Sequence, residues 1–86
     1  MTTVLREEGI AFRIYLNDHA PPHVHAIKED GFAKIEIGNA DVPPRVLKIG
    51  KHMRNQDLLK AVRVVERGWR VFLAAWRSVH GEEAAD

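Results

Sequence analysis

Leu58, Val62, Val65, Trp69, Phe72 and Trp76 recur at steps of 4, 3, 4, 3 and 4, the spacing that lines side chains along one face of an α-helix. Such a stripe needs a surface to bury against, and the preceding residues supply one with a different period. Phe12, Ile14 and Leu16 alternate with Ala11, Arg13 and Tyr15, the two-residue repeat of a strand over Ala11–Leu16. His23–Lys28, Phe32–Ile37 and Arg45–Ile49 are further strand candidates. The expected fold is therefore α+β, a small antiparallel sheet of three to four strands packed against one long C-terminal amphipathic helix. Asn55 is the expected N-cap and Gly81 the stop, with Gly68 placed to kink the helix or split it in two.

With 86 residues there is room for one modest core. Residues 1–80 read as a single domain and residues 81–86 as an acidic, disordered tail. Apolar residues make up 45% and charged residues 29%, which supports a packed core. No apolar run approaches the roughly 18 residues that suggest a membrane span. Met1–Glu8 lacks the basic-then-apolar order of a signal peptide. The absence of cysteine removes disulfides and thiolate chemistry. A cytoplasmic protein without a membrane partner is the expectation. Exposed strand edges make a homo-oligomer an open option.

The net charge of +1 conceals a segregation. Residues 1–44 hold four Lys/Arg against seven Asp/Glu, whereas residues 45–80 hold nine against two. Within that second stretch Lys60, Arg63, Arg67, Arg70 and Arg77 follow helical spacing opposite the apolar stripe. This basic strip is the candidate contact for RNA or for an acidic protein partner, although no base-reading motif accompanies it. A solvated helix face explains the same charges equally well.

The most distinctive segment is Asn17-Asp18-His19-Ala20-Pro21-Pro22-His23-Val24-His25. Pro21 and Pro22 lack the amide hydrogens that a sheet ladder needs, so the segment breaks the strand before it. If Asp30-Gly31 forms a two-residue hairpin loop with positive φ at both positions, Val24 pairs with Ile37 and Ala26 with Ile35. That register sets His25 opposite Glu36, and puts His23 and His25 together on the face away from Val24 and Ala26. Three chemistries stay open. His19, His23 and His25, with Asp18, form a possible ligand set for a divalent metal. Alternatively His19, His23 and His25 act as acid–base groups oriented by Glu36, with Lys34 or a helix arginine offsetting phosphate charge. Lastly, Asn17, Asp18 and His19 hydrogen-bond their own turn, and the segment is a rigid recognition surface. His52 and His80 read as surface or capping residues.

Gly9-Ile10-Ala11-Phe12-Arg13-Ile14-Tyr15 followed by Asn17-Asp18-His19-Ala20-Pro21-Pro22-His23-Val24-His25-Ala26 resembles the paired signature of a prokaryotic family, domain-of-unknown-function family 4160. Trp76 is similar to that family's late tryptophan. The resemblance implies a compact domain and points to bacterial toxin–antitoxin components, often encoded beside a second small protein. The leading expectation is a ribonuclease-like or RNA-binding toxin–antitoxin module with a small antitoxin-like partner. A non-enzymatic binding protein and a metal-binding domain are the alternatives.

Overall fold

The computed structural model describes residues 2–81. These residues form five strands and two helices: β1 (Thr2–Glu7), β2 (Ile10–Ile14), β3 (His23–Lys28), β4 (Gly31–Glu36), β5 (Arg45–Ile49), α1 (Asn55–Arg67) and α2 (Trp69–His80). The strands make one antiparallel sheet in the order β1-β2-β3-β4-β5. No helix among the described residues is long and apolar enough to cross a membrane. The expected acidic tail falls, beyond Gly81, outside the described residues.

The α+β class is as expected, and the sheet has five strands where three to four were expected. β1 is hard to see in the sequence because a bulge between Thr3 and Leu5 interrupts its pairing with β2. Val4 and Leu5 both pack against the core despite being adjacent, so no two-residue alternation survives. Glu8 (φ 55°) and Gly9 (φ 77°) close the β1–β2 hairpin. β2 also stops earlier than its sequence pattern suggests. The Asp18 amide donates to the Tyr15 carbonyl at 3.0 Å, and the turn so formed leaves Leu16 72% exposed rather than in the core.

The β3–β4 register differs from the expected one by two residues. Val24 pairs with Ile35, Ala26 with Ala33 and Lys28 with Gly31, so Glu29 and Asp30 form the loop. Glu29 takes the positive φ, at 52°. Gly31 is needed for a different reason: a Cβ there would lie 2.8 Å from the His52 carbonyl oxygen and from the Met53 Cα. A shift of two preserves which face each residue occupies. His23 and His25 thus stay opposite Val24 and Ala26, but Glu36 pairs with His23, and His25 with Lys34.

The helices cover the Val24/Ala26 face. Phe12, Ile14, Val24, Ala26, Ala33, Ile35 and Ile37 meet Ala61, Val64, Val65, Phe72 and Trp76 in one core, with Leu58, Val62 and Trp69 at its margin. Phe12 and Phe72 stack obliquely with ring centroids 5.4 Å apart. The long helix is split at Gly68, whose φ of −106° ends α1 while its carbonyl accepts from Phe72 to begin α2. Arg54, with extended backbone, occupies the N-cap position of α1 and Asn55 is its first helical residue, which corrects the expected cap. Gly81 does end α2, with φ 81°. Asp57, 3% exposed, ties the hairpin to α1 through Lys28 Nζ at 3.1 Å. Gly31→Ala should destabilise the fold by about 1–3 kcal/mol, because backbone rather than a movable side chain blocks the new methyl. A lower urea midpoint with unchanged slope would register this.

Candidate metal centre

The turn after β2 carries Asp18 back over the start of β3. Its two carboxylate oxygens do different work. Oδ2 accepts the Tyr15 amide hydrogen at 2.9 Å, which fixes the side chain against its own turn. Oδ1 lies 3.2 Å from His25 Nε2 and 3.5 Å from His23 Nε2. These three donor atoms all sit within 4.8 Å of one another.

His23 is only 3% exposed, and its tautomer is set by the backbone. Nδ1 lies 2.8 Å from the Pro21 carbonyl oxygen. A carbonyl oxygen only accepts, so Nδ1 carries the hydrogen. In the neutral ring Nε2 is then a bare lone pair, and it is buried without a hydrogen-bond partner. It faces the Asp18 oxygen, another lone pair, at 3.5 Å, and two facing lone pairs are favourable only with a cation between them. Either a proton on Nε2 or a metal ion supplies it. A histidine whose other nitrogen donates to a backbone carbonyl is the usual arrangement of a metal ligand. Two ligand atoms about 2.1 Å from a tetrahedral Zn²⁺ lie about 3.4 Å apart, close to both Asp18–histidine distances.

Aromatic rings hold the imidazoles in place. Tyr15 meets His25 edge-on at 4.5 Å, and His23 meets His25 at 5.3 Å. Trp76, fully buried, lies 5.2 Å from His23 on one side and 4.1 Å from His80 on the other. Burial lowers the pKa of His25 below its ordinary value, with help from His23 and Lys34, and the Asp18 carboxylate only partly opposes this. Desolvation raises the pKa of Asp18. The Tyr15 amide, the His25 hydrogen bond and the two imidazoles outweigh it, leaving the carboxyl below its ordinary value.

Asp18, His23 and His25 are brought together, then, while His19 is exposed on the turn and outside the three-residue group. Glu36 is engaged elsewhere, its Oε1 bound by Arg45 at 3.0 Å. Asp18 takes the position beside the imidazoles that the expected register assigned to Glu36. Of the basic strip, Arg63, Arg67, Arg70 and Arg77 are exposed and Lys60 is half-buried. Arg67 reaches Glu7 at 3.5 Å and Glu8 at 3.9 Å, and Arg70 lies over the Trp69 ring at 5.0 Å. The site residues that sequence spacing did not bring in are Tyr15 and the Pro21 carbonyl; Trp76 is visible in the sequence as a member of the apolar stripe and as the counterpart of the family's late tryptophan, with nothing to link it to the histidines.

The sequence model of a protein family described as "Domain of unknown function (DUF4160)" matches residues 9–77. No curated protein and no solved structure matches the chain. The matched span contains the turn, both histidine-bearing strand positions and Trp76.

In an NMR titration His25 should show a midpoint below the ordinary imidazole value of about 6.5. Asp18→Asn should lower it further, since it removes the one charge that favours the imidazolium. A midpoint that rises in the variant would refute this electrostatic description.

Proposed function

The chain belongs to the DUF4160 family, whose description names no reaction, and we propose that Asp18, His23 and His25 bind a divalent metal ion as a two-histidine, one-carboxylate set. The observation that carries this reading is the buried, unpartnered His23 Nε2 aimed at the Asp18 oxygen, with its tautomer fixed by Pro21. Two imidazoles and one carboxylate suit Zn²⁺, Mn²⁺ or Fe²⁺ and leave further coordination positions open, as catalytic rather than structural sites do. Bound there, the metal would supply Lewis-acid activation of water. The protein's own part is to hold the three donors. Tyr15 and Pro21 orient Asp18 and His23 through backbone groups, and Trp76 closes the inner wall.

The reaction class we propose is hydrolysis of a phosphodiester, in a toxin–antitoxin setting with a small cognate protein. Cations around the donors support this choice: Lys34 pairs with His25 on the same sheet face, and Arg13 pairs with it from the other side. A metal-free variant of the same function has one specific support, the 3.2 Å Asp18–His25 contact. There a neutral His25 serves as base and Asp18 orients it. Activity that survives a chelator but not His25→Ala would favour that variant.

Tag-free protein should take up one equivalent of Zn²⁺ or Mn²⁺. At a metal concentration near one hundred times Kd the linkage gain is about 2.7 kcal/mol, which for so small a domain raises Tm by about 10–20 °C. Asp18→Asn and His23→Gln should abolish the shift, and His19→Ala should leave it intact. Unshifted melting of the wild type with each metal would sink the metal reading. For the cellular setting, induction of the wild type should slow bacterial growth and His23→Ala/His25→Ala should not. Equal growth inhibition by both would remove the histidines from the activity.

A further inference from the structure

The strand register aligns one residue from each strand into a single row across the sheet: Thr3, Arg13, His25, Lys34 and Lys48. Directly paired residues project to the same face, here the face opposite the helices. The row therefore sets Arg13 on one side of His25, and Lys34 and Lys48 on the other. With strands about 4.8 Å apart, Arg13 and Lys48 are separated by about 14 Å.

Folding does not account for this row. Lys34 and Lys48 are directly opposite each other, a like-charge pair that weakens a sheet. Among the described residues, Arg13, Lys34 and Lys48 form no ion pair with a carboxylate. Arg13 is half-buried, and its Nε is shielded from water with no hydrogen-bond partner. On the helices, by contrast, Arg67 is already matched by Glu7 and Glu8. The next row on the same face, Ala11, Ile27 and Phe32, is apolar, and Phe32 is 37% exposed.

We propose that Arg13, Lys34 and Lys48 form a docking row for the sugar–phosphate backbone of a single-stranded nucleic acid, laid across the open sheet face over His25. Charge complementarity selects a polyanion, since a row of unmatched cations becomes favourable only when phosphates neutralise it. The adjoining apolar row, with Phe32 partly exposed on β4, suits unpaired bases, which stack on aromatic faces. Among the described residues, no helix or two-stranded ribbon projects from this face to enter the groove of a duplex. The assignment rests on the phosphodiester reading above, supplies its substrate surface, and moves the nucleic-acid contact from the helix strip to the sheet.

Fluorescence anisotropy with a short unstructured oligonucleotide, in RNA and DNA forms, tests it on chelator-treated full-length protein. Both forms should bind, with affinity falling steeply as salt rises. Lys34→Gln, Lys48→Gln and Arg13→Gln should each weaken binding and each lower the log–log salt slope by about 0.7. Lys60→Gln and Arg63→Gln should leave both unchanged. Lys48 is exposed and Lys34, half-buried, makes no ion pair, so a circular-dichroism melt matching the wild type is expected for both lysine variants, and the proposal does not depend on how Arg13→Gln behaves. It is overturned if no oligonucleotide binds at low salt, if only duplex binds, or if the helix variants rather than the sheet variants carry the loss. A parallel Zn²⁺ titration of the untreated wild type keeps the two readings apart: metal uptake without oligonucleotide binding defeats the docking row alone, and the reverse defeats the metal centre alone.

Discussion

The carboxylate of Asp18 is the group on which the site depends. One oxygen is committed to the Tyr15 amide and the other is left facing two imidazole nitrogens. A free aspartate on a turn would rotate and screen itself with water. Here the backbone hydrogen bond removes that freedom, and the Pro21 carbonyl removes the corresponding freedom from His23. Both constraints come from main-chain groups within the same short turn. The orientations of Asp18 and His23 are thus fixed by groups close to them in sequence.

The rest of the domain decides the dielectric. Trp76 arrives from the far end of the chain and packs fully buried beside His23, whose Nε2 is shielded from water. Phe72, one turn earlier, anchors the same helix on Phe12. Core packing and site electrostatics are therefore coupled through α2. A loosened helix would open His23 Nε2 to water.

Much of this was legible in advance where a residue's neighbours in sequence are also its neighbours in space. β3 and β5, the split at Gly68, the stop at Gly81 and the apolar stripe all follow from local period or backbone preference. The failures share a cause too. β1 escaped because a bulge cancels its alternation, and Leu16 was misplaced because the Tyr15–Asp18 turn ends the strand early. The β3–β4 register slipped because Asp30-Gly31 resembles a favoured loop, whereas Gly31 is demanded by the close approach of the His52–Met53 backbone. That contact is distant in sequence and has no local signature.

The same division applies to the functional residues. Sequence by itself determined that Asp18, His23 and His25 belong to one short segment stiffened by Pro21 and Pro22, and that the two histidines share a sheet face, because face parity survives a register shift of two. Only the tertiary structure decided which carboxylate they meet. Asp18 folds back onto them while Glu36 is drawn off by Arg45 on the neighbouring strand. It also decided that Arg13, Lys34 and Lys48 flank His25 in a single row, since that alignment is a sum of three strand registers, each fixed by long-range burial.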